Sequence, residues 1–293
     1  MNDPSLTIFA NFRIDTKERF EIMKISYYSF KGISASKWVI NVRGEFKAEV
    51  ISFLTKELGK KLSASLLDSK KGWFNDTGKI LPQIDTDFVL FWVEDHVSMV
   101  SESKYDDILK DMKEFDVDHL IYSWWHNKTK DTYSYINSLD TNNISIYKMS
   151  KENSRLINNG LGVPFYIITM QSITSLKFFR NIILSPPKFR RWPKEIPFDF
   201  EKISNDNYFY PFKTALPRFE LFANIDDDHD NPGYSLKSRG LYKDLKFGDS
   251  IREVKIKELK EKNYLIKKIL PTLVYVYLSK FRNILRRIGY SLK

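Results

Sequence analysis

A run of apolar residues that ends in charge constrains this chain most. From Asp87 to Val100 it reads DFVLFWVEDHVSMV, with Phe88, Val89, Leu90, Phe91 and Trp92 consecutive and Val93 after them. An unbroken stretch of β-branched and aromatic residues suits a strand covered on both faces, because a strand with one solvated face alternates instead. Covering both faces takes helices on both sides of a sheet, so the run points to an α/β fold. Glu94, Asp95 and His96 follow directly. Two carboxylates and an imidazole are costly to bury, which places them at the strand's carboxyl edge, where open α/β sheets bind ligands. Hard oxygen ligands there suit Mg²⁺ or Mn²⁺, and a neutral imidazole tolerates Mn²⁺. The same residues also fit an ordinary strand followed by a polar turn.

The rest of the first half alternates strands and helices. Leu6–Phe12 reads as a strand and Lys17–Phe30 as a helix, with Phe20, Ile22, Met23, Ile25, Tyr27 and Phe30 mostly at helical spacing. Trp38–Val42 is a second strand, Glu45–Leu58 a second helix, and Ser63–Leu67 a short third strand. After the strand at Phe88–Val93 comes a helix from Lys104 to Phe115 and an apolar piece at His119–Trp125. Strands and helices repeating at this spacing predict parallel strands joined by crossover helices. In the second half, Val163–Thr169 reads as a strand and Ser172–Leu184 as a helix. Two polar loops follow, one rich in proline and base (185–202), the other, at 216–242, carrying Asp226, Asp227, Asp228, His229 and Asp230 in succession.

Charge divides the chain. Of its net +10, residues 251–293 contribute +9, with twelve Lys or Arg against three Glu, which leaves the first 250 residues at +1. The body therefore has little long-range attraction for polyanions, and any such attraction belongs to the tail. In that tail Leu273, Tyr277, Phe281, Ile284 and Ile288 fall on one helical face, flanked by Lys280, Arg282, Arg286, Arg287 and Lys293. A basic amphipathic helix of this kind suits an interfacial membrane anchor, and also suits packing on its own domain or on a dimer partner. The expected organisation is a catalytic or binding domain over 1–250 and a membrane-associating tail over 251–293. The chain has no cysteine, so disulfide and thiolate chemistry are excluded. Its N-terminal stretch, MNDPSLTIFANF, has no basic, apolar signal-peptide pattern, and a cytoplasmic location is the expectation.

With FVLFWVEDH standing where a buried strand meets an acidic motif, and with this order of elements over residues 5–245, the chain resembles bacterial glycosyltransferases of the GT-A type. The resemblance implies a Rossmann-type, mostly parallel sheet flanked by helices, with a nucleotide-sugar over the carboxyl ends of the first strands. A divalent cation, Mn²⁺ or Mg²⁺, would be held by Glu94 and Asp95, although the motif is Glu-Asp-His rather than a plain DxD. The tail resembles the membrane-associating ends of enzymes that build lipid-linked surface glycans such as lipopolysaccharide. The implied partners are a nucleotide-sugar donor, a glycan or lipid-linked acceptor and the anionic inner face of the membrane. No nucleic-acid partner is expected.

Carried over residue by residue, the resemblance puts Asn11 and Arg13 at the end of the first strand, against base and ribose. Asn41 and Arg43 end the second strand, with Gly44 allowing a tight exit, and an arginine there grips phosphate at two points. Arg239 is a further donor-binding candidate, with Arg190, Arg191 and Lys194 as weaker ones. Asp95 and Glu94 face the diphosphate and metal, and His229 completes the metal shell. An inverting transfer needs a base near the acceptor hydroxyl, for which Asp199, Glu201, Asp226, Asp227, Asp228 and His229 are candidates. A retaining enzyme needs none. Trp124, Trp125 and His126 suit either a sugar-stacking platform or the core. P-loop, GxSxG and HExxH patterns are absent, which weakens phosphotransfer and hydrolase readings. The rival readings are a sugar nucleotidyltransferase, whose glycine-rich loop after the first strand is missing here, and a non-catalytic membrane- or nucleic-acid-binding protein acting through the tail.

Overall fold

The computed structural model describes residues 3–121, 133–161, 171–186, 208–226 and 235–241. The first half follows the alternation read from the sequence. Strand β1 spans Leu6–Arg13, helix α1 Lys17–Phe30, strand β2 Lys37–Arg43, helix α2 Lys47–Leu58 and strand β3 Leu62–Ser65. Helix α3 (Trp73–Ile80) precedes β4 (Phe88–Phe91), and a short strand β5 (His96–Ser98) leads to helix α4 (Glu102–Glu114) and β6 (His119–Leu120). Then come β7 (Ser138–Asp140), β8 (Ile144–Met149), helix α5 (Lys151–Leu161), β9 (Ser172–Ser175), helix α6 (Leu176–Ile183), β10 (Phe212–Pro217) and β11 (Phe222–Asn224).

Among the described residues the main sheet has nine strands in the order β3-β2-β1-β4-β9-β6-β10-β8-β7. The crossover helices make β3, β2, β1 and β4 parallel neighbours. Only β8 and β9 run against the other strands of this sheet, so it is mixed and mostly parallel. A separate two-stranded sheet pairs β11 with β5.

Two hydrophobic layers explain why β1 is buried along almost its whole length and β4 is apolar without interruption. Leu6, Ile8, Ala10 and Phe12 pack on one face with Met23, Tyr27 and Phe30 of α1, Val50 and Leu54 of α2, and Tyr105, Ile108 and Leu109 of α4. Phe9, Val89 and Phe91 pack on the other with Trp73, Phe74 and Ile80 of α3 and with Phe178, Phe179 and Ile182 of α6. Each large side chain fully buried this way contributes about 1.5–3 kcal/mol against the entropy of ordering it. Trp92, just past β4, belongs to the first of these layers. Its indole meets Phe12 and Trp38 edge-on, with ring centroids 5.3 and 5.5 Å apart.

Two stretches depart from expectation. The segment 216–242, read as a polar loop, takes in the end of β10 and all of β11, which pairs with β5. The stretch Ser172–Leu184 is not a single helix, because its first four residues form β9, antiparallel to both β4 and β6. Ser175 then caps α6 by accepting from the Phe178 amide at 3.2 Å. Ile173 and Thr174 supply the β-branched character that such a central strand favours. The expected strand at Val163–Thr169, most of the apolar piece ending at Trp125, and the tail 251–293 lie outside the described residues.

Candidate functional site

Because β1, β2 and β4 are parallel neighbours, their carboxyl ends lie along one edge of the sheet. Arg13 and Arg43 are in register at the ends of β1 and β2. The turn Glu94-Asp95 follows β4, which Trp92 extends by donating its amide to the Phe9 carbonyl at 2.8 Å. Gly44 makes the exit from β2 with φ +98°, and a Cβ there would collide with the Ile14 carbonyl, so only glycine suits the turn.

The acidic turn is bound to a cation of this chain that the sequence reading did not single out. Arg19, in the first turn of α1, donates from Nη2 to Glu94 Oε1 at 2.8 Å and to Asp95 Oδ2 at 2.7 Å. Its Nη1 reaches both oxygens of Asp226, just past β11, at 3.3 and 3.5 Å. All four side chains are largely buried, at 12% exposure for Arg19, 16% for Glu94, 6% for Asp95 and 17% for Asp226. Burial alone would make Arg19 easier to deprotonate, but Asp95, Glu94 and Asp226 outweigh it and raise its pKa well above the ordinary value. Arg19 is therefore a permanent cation. An arginine in a helix's first turn also opposes the helix dipole, the one sequence-level hint that other groups hold it there.

The backbone beneath the turn is equally fixed. Asp95 Oδ1 lies 2.8 Å from His96 Nδ1, and the Asp95 carbonyl accepts from the Ile225 amide at 2.8 Å. Ser26 of α1, fully buried, accepts from Trp92 Nε1 at 2.7 Å and donates to the His96 carbonyl in a short bond. Gln171, also fully buried, accepts from the Val93 amide at 2.9 Å, while its Nε2 has no partner.

The other end of the edge is basic. Arg13 donates Nη2 to both oxygens of Asp68 at 2.8 and 2.7 Å. Arg43 is 9% exposed and, among the described residues, makes no ion pair and has a buried Nε without a hydrogen-bond partner. Burial and the neighbouring Arg13 lower its pKa from the usual guanidinium value, with Asp68, Asp76 and Asp15 opposing them. Asp76 is itself buried, which would raise its pKa, but the hydroxyl and amide of Ser69 together with Lys79 lower it on balance.

The remaining candidates divide between internal roles and residues beyond view. Asn41 donates to Asn11 Oδ1 and to the Leu67 carbonyl and accepts from the Leu67 amide, at 2.9, 2.8 and 2.7 Å. Asn11 donates to Thr77 Oγ1 at 2.8 Å and to the Trp73 carbonyl at 3.4 Å, and its own carbonyl accepts from Trp73 Nε1. Both amide side chains thus fasten α3 and the loop before it to the strand ends. Arg239 pairs with Glu220 through both of its terminal nitrogens, at 2.5 and 3.0 Å. Glu201, Asp227, Asp228 and His229 lie outside the described residues, as do Asp199, Arg190, Arg191, Lys194, Trp124, Trp125 and His126.

A divalent cation does not fit the described part of the acidic turn. One Glu94 oxygen and one Asp95 oxygen already accept from Arg19, the second Asp95 oxygen lies on His96, and an octahedral ion needs several free oxygens close together. Among the described residues no group of three or more His, Cys, Asp or Glu is placed to hold a metal.

Fold and site together define a mixed α/β protein whose polar groups gather at the carboxyl ends of its parallel strands, with a carboxylate turn at one end and arginines at the other. No family model matches the chain, and no curated protein does. Among solved structures it is similar to S. aureus TarS, with 14% identity, a TM-score of 0.49, and 77% of this chain matched to 37% of that one. A TarS 1–349 structure in complex with UDP matches at 10% identity and a TM-score of 0.46, over 77% of this chain and 62% of that one. The mannosyltransferase PcManGT from Pyrobaculum calidifontis, in complex with GDP-Man and Mn²⁺, matches at 8% identity and a TM-score of 0.33, over 41% and 35%. The chain thus spans less than two thirds of the length of each, and its functional reading rests on its own residues.

Proposed function

We propose that this chain is a glycosyltransferase that takes a sugar from a nucleotide-sugar donor, with the donor diphosphate lying over the carboxyl ends of β1, β2 and β4. The observation that carries this reading is Arg43, a buried arginine with no ion pair among the described residues, at the edge where α/β sheets bind ligands. A buried cation is costly to a fold unless an anion meets it, and a diphosphate meets a guanidinium at two points. Glu94 and Asp95, on the same edge, are fixed acceptors suited to sugar hydroxyls. Asp226 is the one described candidate for the base that deprotonates an acceptor hydroxyl, with Asp199, Glu201, Asp227, Asp228 and His229 as the others. The acceptor would be a glycan or a lipid-linked glycan. The basic tail 251–293 would hold the enzyme at an anionic membrane surface on its cytoplasmic side, and no described helix is long and apolar enough to cross a membrane.

The test is thermal shift of the full chain against UDP, GDP, CMP and dTDP, each with Mn²⁺ and with EDTA. A ligand that binds only the folded state adds about 2.7 kcal/mol at a hundred times its Kd. Stabilisation by one nucleotide supports the reading and names the donor class. No stabilisation by any of them rejects it.

A further inference from the structure

We infer that Arg19 is the built-in cation of the acidic turn, so that the donor binds without a divalent ion bridging Glu94 and Asp95. The inference rests on the proposed donor site and concerns how that site balances its charge. Two segments far apart in the chain bring carboxylates to the same guanidinium of α1: the turn after β4 supplies Glu94 and Asp95, and the residues just past β11 supply Asp226. The contacts to the turn, at 2.8 and 2.7 Å, are charge-assisted bonds of ordinary strong length. A divalent ion between Glu94 and Asp95 would need the oxygens that Arg19 now engages, and would bring a second cation against a permanent one within a few ångströms. Like charges so close in a largely buried site repel strongly.

The attachment of Arg19 is itself rigid. Its amide is capped by Thr16 Oγ1 at 3.2 Å, which fixes the first turn of α1, and Ser26, about two turns further along the same helix, holds the backbone under the turn. Helix and acidic turn therefore form one unit, with the cation placed before any ligand arrives. Pre-placed charge of this kind lowers the reorganisation that binding requires. Arg19 is accordingly a positioning residue. It holds Glu94 and Asp95 in place and offsets part of their charge, while Arg43 meets the diphosphate.

Two measurements test this, one of them independent of the nucleotide. The first is Mn²⁺ binding followed by electron paramagnetic resonance. The expected result is that Arg19→Gln, which vacates the space between the carboxylates but keeps a neutral donor, gains a Mn²⁺ site that the wild type lacks. Mn²⁺ bound by the wild type and lost in Glu94→Gln overturns the inference. The second measurement is the wild-type affinity for whichever nucleoside diphosphate binds, which needs no variant to fold. Equal affinity in Mn²⁺ and in EDTA supports the inference, and a tenfold or greater loss in EDTA overturns it. Arg19→Lys is the conservative control: it keeps the charge and is expected to gain no Mn²⁺ site. Absence of nucleotide binding under both conditions would sink the donor reading, while the Mn²⁺ comparison would still decide the role of Arg19.

Discussion

Arg43 allows stability and ligand affinity to be separated in one variant. Arg43→Met keeps an unbranched stem close to that of arginine but removes the guanidinium and its charge. In the folded protein Arg43 is 9% exposed and its buried Nε has no partner among the described residues, so the fold carries a desolvation cost that Asp68, Asp76 and Asp15 offset only in part. Removing an ion in that position leaves stability unchanged or raises it by about 1–2 kcal/mol. For a domain of this size that is a rise in Tm of up to about 8 °C. The affinity for a nucleoside diphosphate moves the other way. Hydrogen bonds to a charged group contribute about 1.5–3 kcal/mol each, and losing that much weakens Kd by roughly 10- to 150-fold. Differential scanning fluorimetry reads the first quantity and isothermal titration calorimetry the second. A fall in Tm of about 4 °C or more with unchanged affinity would refute the reasoning, because it would make Arg43 a structural residue.

Two further perturbations probe the turn and the tail. Ser26→Ala leaves Trp92 Nε1 and the His96 carbonyl without their partner, two buried groups at about 1–3 kcal/mol each, so chemical denaturation should show a loss of roughly 2–4 kcal/mol. A loss below about 0.5 kcal/mol would mean that the hub under the acidic turn relaxes onto other partners. Deleting residues 251–293 removes +9 of the net +10 charge and, at on the order of 1 kcal/mol per basic residue near an anionic surface, should abolish flotation with anionic liposomes while leaving nucleotide binding intact. Undiminished flotation of the shortened chain would reject the anchor.

The sequence was readable where the deciding interactions are local or repeat with the period of an element. Helix α1 runs over Lys17–Phe30 as its apolar spacing predicts, and Thr16 supplies the cap. The parallel order of β1, β2 and β3 follows from the crossover helices between them. The apolar run into Glu94 and Asp95 was legible as a buried strand meeting a polar edge, and Gly44 as a tight exit from β2. Ser172–Ser175 was misread because four residues carry too little periodicity to separate a strand from a helix's first turn. Its identity comes from pairing with β4 and β6 on either side.

The roles of the edge residues were less legible than their positions. Asn11 and Asn41 stand at strand ends as a donor-binding pair would, yet the tertiary structure sets their amides against Thr77 and Leu67. Arg13 and Arg43 look equivalent in the sequence and are in register in the sheet. Only folding brings Asp68 to the first and leaves the second without an ion pair among the described residues.

By itself, then, the sequence determined the α/β architecture of the first half and the placing of charge at the ends of its strands, because burial patterns and turn chemistry are written in neighbouring residues. The tertiary structure decided which charges meet. Arg19 lies 75 residues from Glu94 and 207 from Asp226, and a pairing across such separations leaves no periodic trace. It exists because α1, the turn after β4 and the end of β11 converge on one edge of the sheet, where a single guanidinium has enough donors to bind all three carboxylates at once.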